Sequence, residues 1–216
     1  MPYNFKYFSA VVFVALMGAC SSKTETTASS IDSNRVAETP GTIAIKDTLR
    51  QINSPAIDTK ALPARTIGEM ILDGRLKPSD NEFTFRILDS LNTSDKGSRK
   101  FYFDVFNKIM DHSDGALSEA IGNYALTYVE LNPAEFIRYT SSLPASRFET
   151  WASQVGIELF LSGNEPKENF QHYSRSVNGN CKGCSKATVQ KLRQFNQLVW
   201  QTMEQNIKAE KENPVQ

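Results

Sequence analysis

The sequence predicts an all-α body, either an irregular helical bundle or an α-solenoid-like stack of helix pairs, behind a disordered N-terminal tether. Three observations carry this. From about residue 62, apolar residues recur with a period of 3.6. No segment alternates with period 2, and neither Asp114-Gly115 nor Asn178-Gly179 joins two β-rich runs. Aromatic residues make up 10% of the 216, and 13 of the 22 are Phe, which is ample for a packed core.

The elements follow in chain order. Ile67, Met70 and Ile71 share one face and stop at Gly74. Ser79-Asp80-Asn81-Glu82 reads as a capping box with Ser79 at its head, followed by Thr84, Ile87, Leu88 and Leu91 at helical spacing. Tyr102, Val105, Phe106, Ile109 and Met110 form an i, i+3, i+4, i+7, i+8 stripe. Asp114 opens the next helix, striped by Leu117, Ile121, Tyr124 and Tyr128. Asn132-Pro133-Ala134-Glu135 supplies an N-cap, an N1 proline and a first-turn acid. Ser146 to Glu149 reads as a second capping box, leading into Phe148, Trp151, Val155 and Leu159 and ending at Gly163. A short helix is expected over 166–177. A long one is expected over about 184–208, with Val189, Leu192, Val199 and Met203 inward.

The expected organisation is a signal peptide at 1–19, a lipidated cysteine and tether at 20–61, a helical domain at 62–208 and a frayed charged tail at 209–216. Cap positions recur about every 34 residues (Ser79 to Asp114, Ser98 to Asn132, Asp114 to Ser146). That is the spacing of solenoid helix pairs, and average helix and loop lengths give it in a plain bundle as well. Residues 21–60 hold 13 Ser or Thr and no aromatic residue. Such a segment buries too little apolar surface to offset its ordering entropy, so it reads as a flexible tether in which Ile43–Ile52 forms at most a weak helical turn.

The N-terminus sets the expected compartment. One positive charge, Lys6, precedes an apolar run through Val11–Met17, too short to span a bilayer and suited to a secretion signal. The segment Leu16-Met17-Gly18-Ala19-Cys20 resembles the lipobox of bacterial lipoproteins, with Met17 where Leu is usual and Leu16 one place earlier. The resemblance implies cleavage before Cys20, covalent diacylglycerol and N-acyl lipid on that cysteine, and a membrane anchor. Ser21 follows the cysteine where Asp would imply inner-membrane retention, so the resemblance favours the outer membrane over the inner.

Few groups invite chemistry. Cys181 and Cys184 form a Cys-x-x-Cys before the last long helix. Four readings are open: a structural disulfide clip, redox exchange helped by a helix N-terminus and Lys182, a metal site, and free thiols. The metal site would be completed by His172, with His112 and Asp111 the other available ligands. Ser185 stands where covalent haem attachment requires His. Glu130, Glu135 and Glu158 read as solvated helix faces, and the Phe and Tyr stripes as core, not cofactor cages. No nucleophile elbow or phosphate-binding glycine loop is present. Lys plus Arg equals Asp plus Glu at 24 each, and loss of residues 1–19 removes only Lys6, so no basic excess points to nucleic acid. The expected function is a non-catalytic envelope lipoprotein that binds or scaffolds another envelope protein, inhibitor-like or immunity-like in kind. The alternative is a periplasmic redox or metal-binding protein using the cysteine pair. No cofactor is expected beyond the lipid on Cys20.

Overall fold

The computed structural model describes residues 59–113, 115–163 and 165–213. The signal peptide, Cys20, the tether through residue 58 and the Ile43–Ile52 turn lie outside the described residues, as does Asp114. Among the described residues every regular element is a helix: α1 Ala64–Leu72, α2 Glu82–Leu91, α3 Lys96–Met110, α4 Gly115–Leu131, α5 Pro133–Thr140, α6 Ala145–Leu161, α7 Pro166–Asn180 and α8 Lys186–Glu212. None of them is long and apolar enough to cross a membrane.

Local chemistry sets the helix boundaries, at two points differently from the sequence expectation. At α2 the cap is Asn81, not Ser79. Asn81 adopts extended backbone, and its Oδ1 accepts from the Thr84 amide at 3.1 Å. Ser79 instead accepts from the Asn81 side chain. At α6 the helix already begins at Ala145, because Pro144 holds the extended angles of the boundary position, and Ser146 falls inside the first turn without capping. Asn132 and Pro133 take the N-cap and N1 positions of α5 as expected, although the Asn132 side chain makes no capping bond. Helix α1 ends before Gly74, whose φ of +76° is open to glycine at little cost. Helix α7 runs three residues past 177, to the cysteine loop. Helix α8 continues to Glu212, supported by a Lys208–Glu212 pair at i, i+4, so the expected fraying from 209 is not observed before that point.

The packing is that of an irregular bundle. In a solenoid each helix pair meets only its sequence neighbours. Here α4 contacts α2, α5, α6 and α7, while α5 reaches across to α8. Helices α6 and α8 approach closely at Gly156. A Cβ there would lie 2.8 Å from the Val199 carbonyl and 2.7 Å from the Thr202 Cβ.

Trp151 on α6 is the centre of the core and is fully buried. It stacks on Phe103 at 5.2 Å and lies within 6 Å of Phe106, Tyr128 and Phe136. Burying an indole of this size, about 200 Å² at about 25 cal/mol per Å², contributes on the order of 5 kcal/mol. Its N–H donates to Asn107 Oδ1 at 3.0 Å, and Asn107 Nδ2 donates in turn to the Phe103 carbonyl at 2.8 Å, so no polar atom of the pair is wasted. Phe103 and Phe195 are fully buried although neither stands in the sequence stripes; Tyr102 and Tyr124, which do, are only half-buried. The reason is two-sided burial: α3 meets α1 and α2 on one side and Trp151 of α6 on the other. On α2, Arg86 grips residues 59–62. Its guanidinium donates to the carbonyls of Thr59, Lys60 and Leu62, the last at 2.7 Å.

Candidate functional site

The first turns of α3 and α5 meet at a shallow open cleft of about 490 Å³, lined by Lys96, Arg99, Ala134, Glu135 and Arg138. Its floor is an ion pair. Arg99 Nε donates to Glu135 Oε1 at 2.7 Å and Arg99 Nη2 to Glu135 Oε2 at 3.2 Å, a two-bond fork with both side chains nearly buried. The Tyr128 hydroxyl, from α4, donates to the same Oε1 at 3.1 Å. Arg138 reaches Oε2 at 3.7 Å. Glu135 is therefore not the solvated acid its sequence context suggests. It is the acceptor on which three elements converge.

The electrostatics follow from these bonds. The hydrogen bonds to Glu135 raise the pKa of Arg99 against the opposing effect of burial. Tyr128 is raised far above the ordinary phenol range, first by burial and then by the Glu135 charge. The proton therefore stays on the tyrosine. The pair neutralises itself and leaves Lys96 and Arg138 at the rim. Lys96 is exposed and has no partner among the described residues. The Arg138 side chain is 67% exposed; its guanidinium lies 4.8 Å over the Tyr139 ring and Nη2 donates to the Tyr139 hydroxyl at 3.2 Å, which holds the group in place. Asp95, the nearby N-cap of α3, directs its carboxylate to the Gly97 amide and the Ser98 hydroxyl.

Cys181 and Cys184 stand at disulfide distance, with Cα atoms 5.1 Å apart. Cys181 is buried as the C-cap of α7, and Ser185, one residue past Cys184, caps α8 by accepting from the Thr188 amide at 3.2 Å. The leading cysteine thus sits at a helix C-terminus, where the dipole opposes a thiolate, and not at an N-terminus. Asn180 ties the loop to α4 by donating to the Glu130 carbonyl at 2.7 Å. Among the described residues no three His, Cys, Asp or Glu side chains gather as metal ligands, so His172 is not brought to the pair. Asp111 instead pairs with Arg147.

Glu130 and Glu158 also depart from the solvated-face reading. Both are half-buried, and burial raises the pKa of each; for Glu158 a hydrogen bond from Ser162 partly offsets the rise. Among the described residues, the buried Tyr173 hydroxyl, Asn92 Oδ1 and Asn196 Oδ1 find no hydrogen-bond partner. The sequence signal that could have found the cleft is the placing of Arg99 and Glu135 in the first turns of two helices, with Arg138 one turn after Glu135, but nothing local in the chain links residues 36 positions apart. Compared with known protein families, curated proteins and solved structures, the chain matches none.

Proposed function

We propose that this chain is a lipid-anchored protein of the cell envelope, favouring the outer membrane, whose helical body binds another envelope protein without catalysing a reaction. The observation that carries the binding reading is the cleft between α3 and α5: two exposed cations stand over a floor that is already neutral and fixed by hydrogen bonds. A surface of that kind offers oriented charge to a partner without having to be ordered first. The anchor reading rests on the Leu16–Cys20 segment and on the Ser21 that follows it. A tether of about 40 residues would give the body a root-mean-square reach of about 35 Å from the membrane, enough to orient its cleft freely.

Two measurements test this. Metabolic acyl labelling of the full-length chain should mark Cys20, and Cys20→Ser should abolish the label and release the protein from membranes. An acylated Cys20→Ser product would refute the anchor. For binding, a photo-crosslinking residue in place of Lys96 should capture one envelope protein repeatedly, and the same group in place of Glu210 should not. Equal capture at both positions would refute a role for the cleft.

A further inference from the structure

We infer that the cleft between α3 and α5 is a carboxylate-binding site that takes an acidic side chain from a peptide segment. On the reading that the body binds a partner protein, this names the chemistry by which the partner is held.

The charge balance comes first. Three cations and one carboxylate line the cleft, for a net charge of +2 in a chain with no net charge overall. The carboxylate is fully engaged, since both Glu135 oxygens accept from Arg99 and one also accepts from Tyr128. The uncompensated charge is therefore that of Lys96 and Arg138, which stand at the same opening. Asp95 does not line the cleft; its carboxylate accepts from the Gly97 amide and the Ser98 hydroxyl and keeps its negative charge beside Arg99.

The geometry then selects the kind of anion. The Arg138 guanidinium is held over the Tyr139 ring with Nη2 bonded to the Tyr139 hydroxyl and facing Glu135, which leaves Nε and Nη1 as donors on separate edges. A single Arg138 donor and the Lys96 ammonium can each take one oxygen of a carboxylate. A phosphate would be served better by several forks converging, and here the Arg99 fork is already filled by Glu135. Ala134 gives the wall a small apolar patch against which the methylenes of a glutamate can lie. It sits in the first turn of α5, whose N-cap makes no side-chain bond, so the helix end adds to the positive potential of the same space.

The probe is a short acetylated peptide of alternating glutamate and alanine, titrated into the full-length protein in detergent micelles. Its glutamine counterpart and inorganic phosphate serve as comparisons. The glutamate peptide should bind, weaken as salt is raised, and lose about tenfold in affinity in the double variant Lys96→Gln, Arg138→Gln. Lys96 is exposed without a partner and Arg138 is mostly exposed, so that variant should lower the urea midpoint only slightly. Should it not fold, Lys96→Glu alone, at a position without partners, should still abolish binding. Equal binding of the glutamine peptide, undiminished binding in the variants, or phosphate displacing the peptide at lower concentration than the peptide itself would overturn the inference. Acylation and position-96 crosslinking are read independently. A chain that is labelled and crosslinked but ignores the peptide overturns the carboxylate chemistry alone. A chain that takes the peptide but carries no acyl group overturns the anchor alone.

Discussion

Replacing Glu135 by Leu should cost this protein about 3 kcal/mol of stability, far more than its place in the first turn of a short helix suggests. The magnitude follows from what is left behind. Arg99, with its side chain only 11% exposed, would lose both bonds of its fork, and the Tyr128 hydroxyl would lose its acceptor. Removing one partner of a buried ion pair typically costs about 3–5 kcal/mol, and an unsatisfied buried hydroxyl about 1–3. The lower end applies because the cleft lets water reach the edge of Arg99. Urea denaturation followed by tryptophan fluorescence suits the test, since Trp151 lies 5.8 Å from Tyr128 and reports on this part of the core. The midpoint should fall with the slope unchanged. Adding Arg99→Met and Tyr128→Phe should recover most of the loss, because an apolar replacement of the whole group removes the stranded charge and the stranded hydroxyl together. A single Glu135→Leu variant that loses less than about 1 kcal/mol would refute the argument that the pair is effectively buried.

Three further outcomes are expected. Gly156→Ala should lower stability by about 1–3 kcal/mol, because the new methyl meets the Val199 carbonyl and Thr202 and forces α6 away from α8; a neutral effect in denaturation would show that the helices can slide apart freely. Glu158→Gln should stabilise the protein at pH 7 and lose that advantage as the pH falls. Burial raises the folded-state pKa of this acid, so its charged form destabilises the fold above that value, and the penalty disappears on titration down towards the unfolded value near about 4.3. A stability difference that stays constant with pH would count against it. Replacing Cys181 and Cys184 together with Ser should lower stability by about 1–3 kcal/mol without unfolding the domain, since a loop this short restrains little chain entropy; loss of cooperative unfolding would assign the loop a larger part in the core.

The sequence alone determined that the body is helical, where most helices lie and which residues supply much of the core. These are consequences of period and of local chemistry: Ile87, Leu88 and Leu91 recur at the spacing of one face, Pro133 pre-sets a first turn, and Gly74 ends one. Single-face periodicity could not single out Phe103 or Phe195, because helices buried on two sides have no one stripe to read. Caps at Ser79 and Ser146 matched a local pattern, but the observed caps stand two residues later, at Asn81, and two residues earlier, at Pro144. Tertiary structure alone decided between stack and bundle, since both give the same cap spacing and differ only in which distant helices touch. It alone decided the cleft as well. Arg99 and Glu135 are unremarkable charges on separate amphipathic helices until the packing of α3, α4 and α5 brings them within hydrogen-bond reach. That pairing turns two neighbouring charges into a neutral floor and leaves Lys96 and Arg138 as the charges the surface presents.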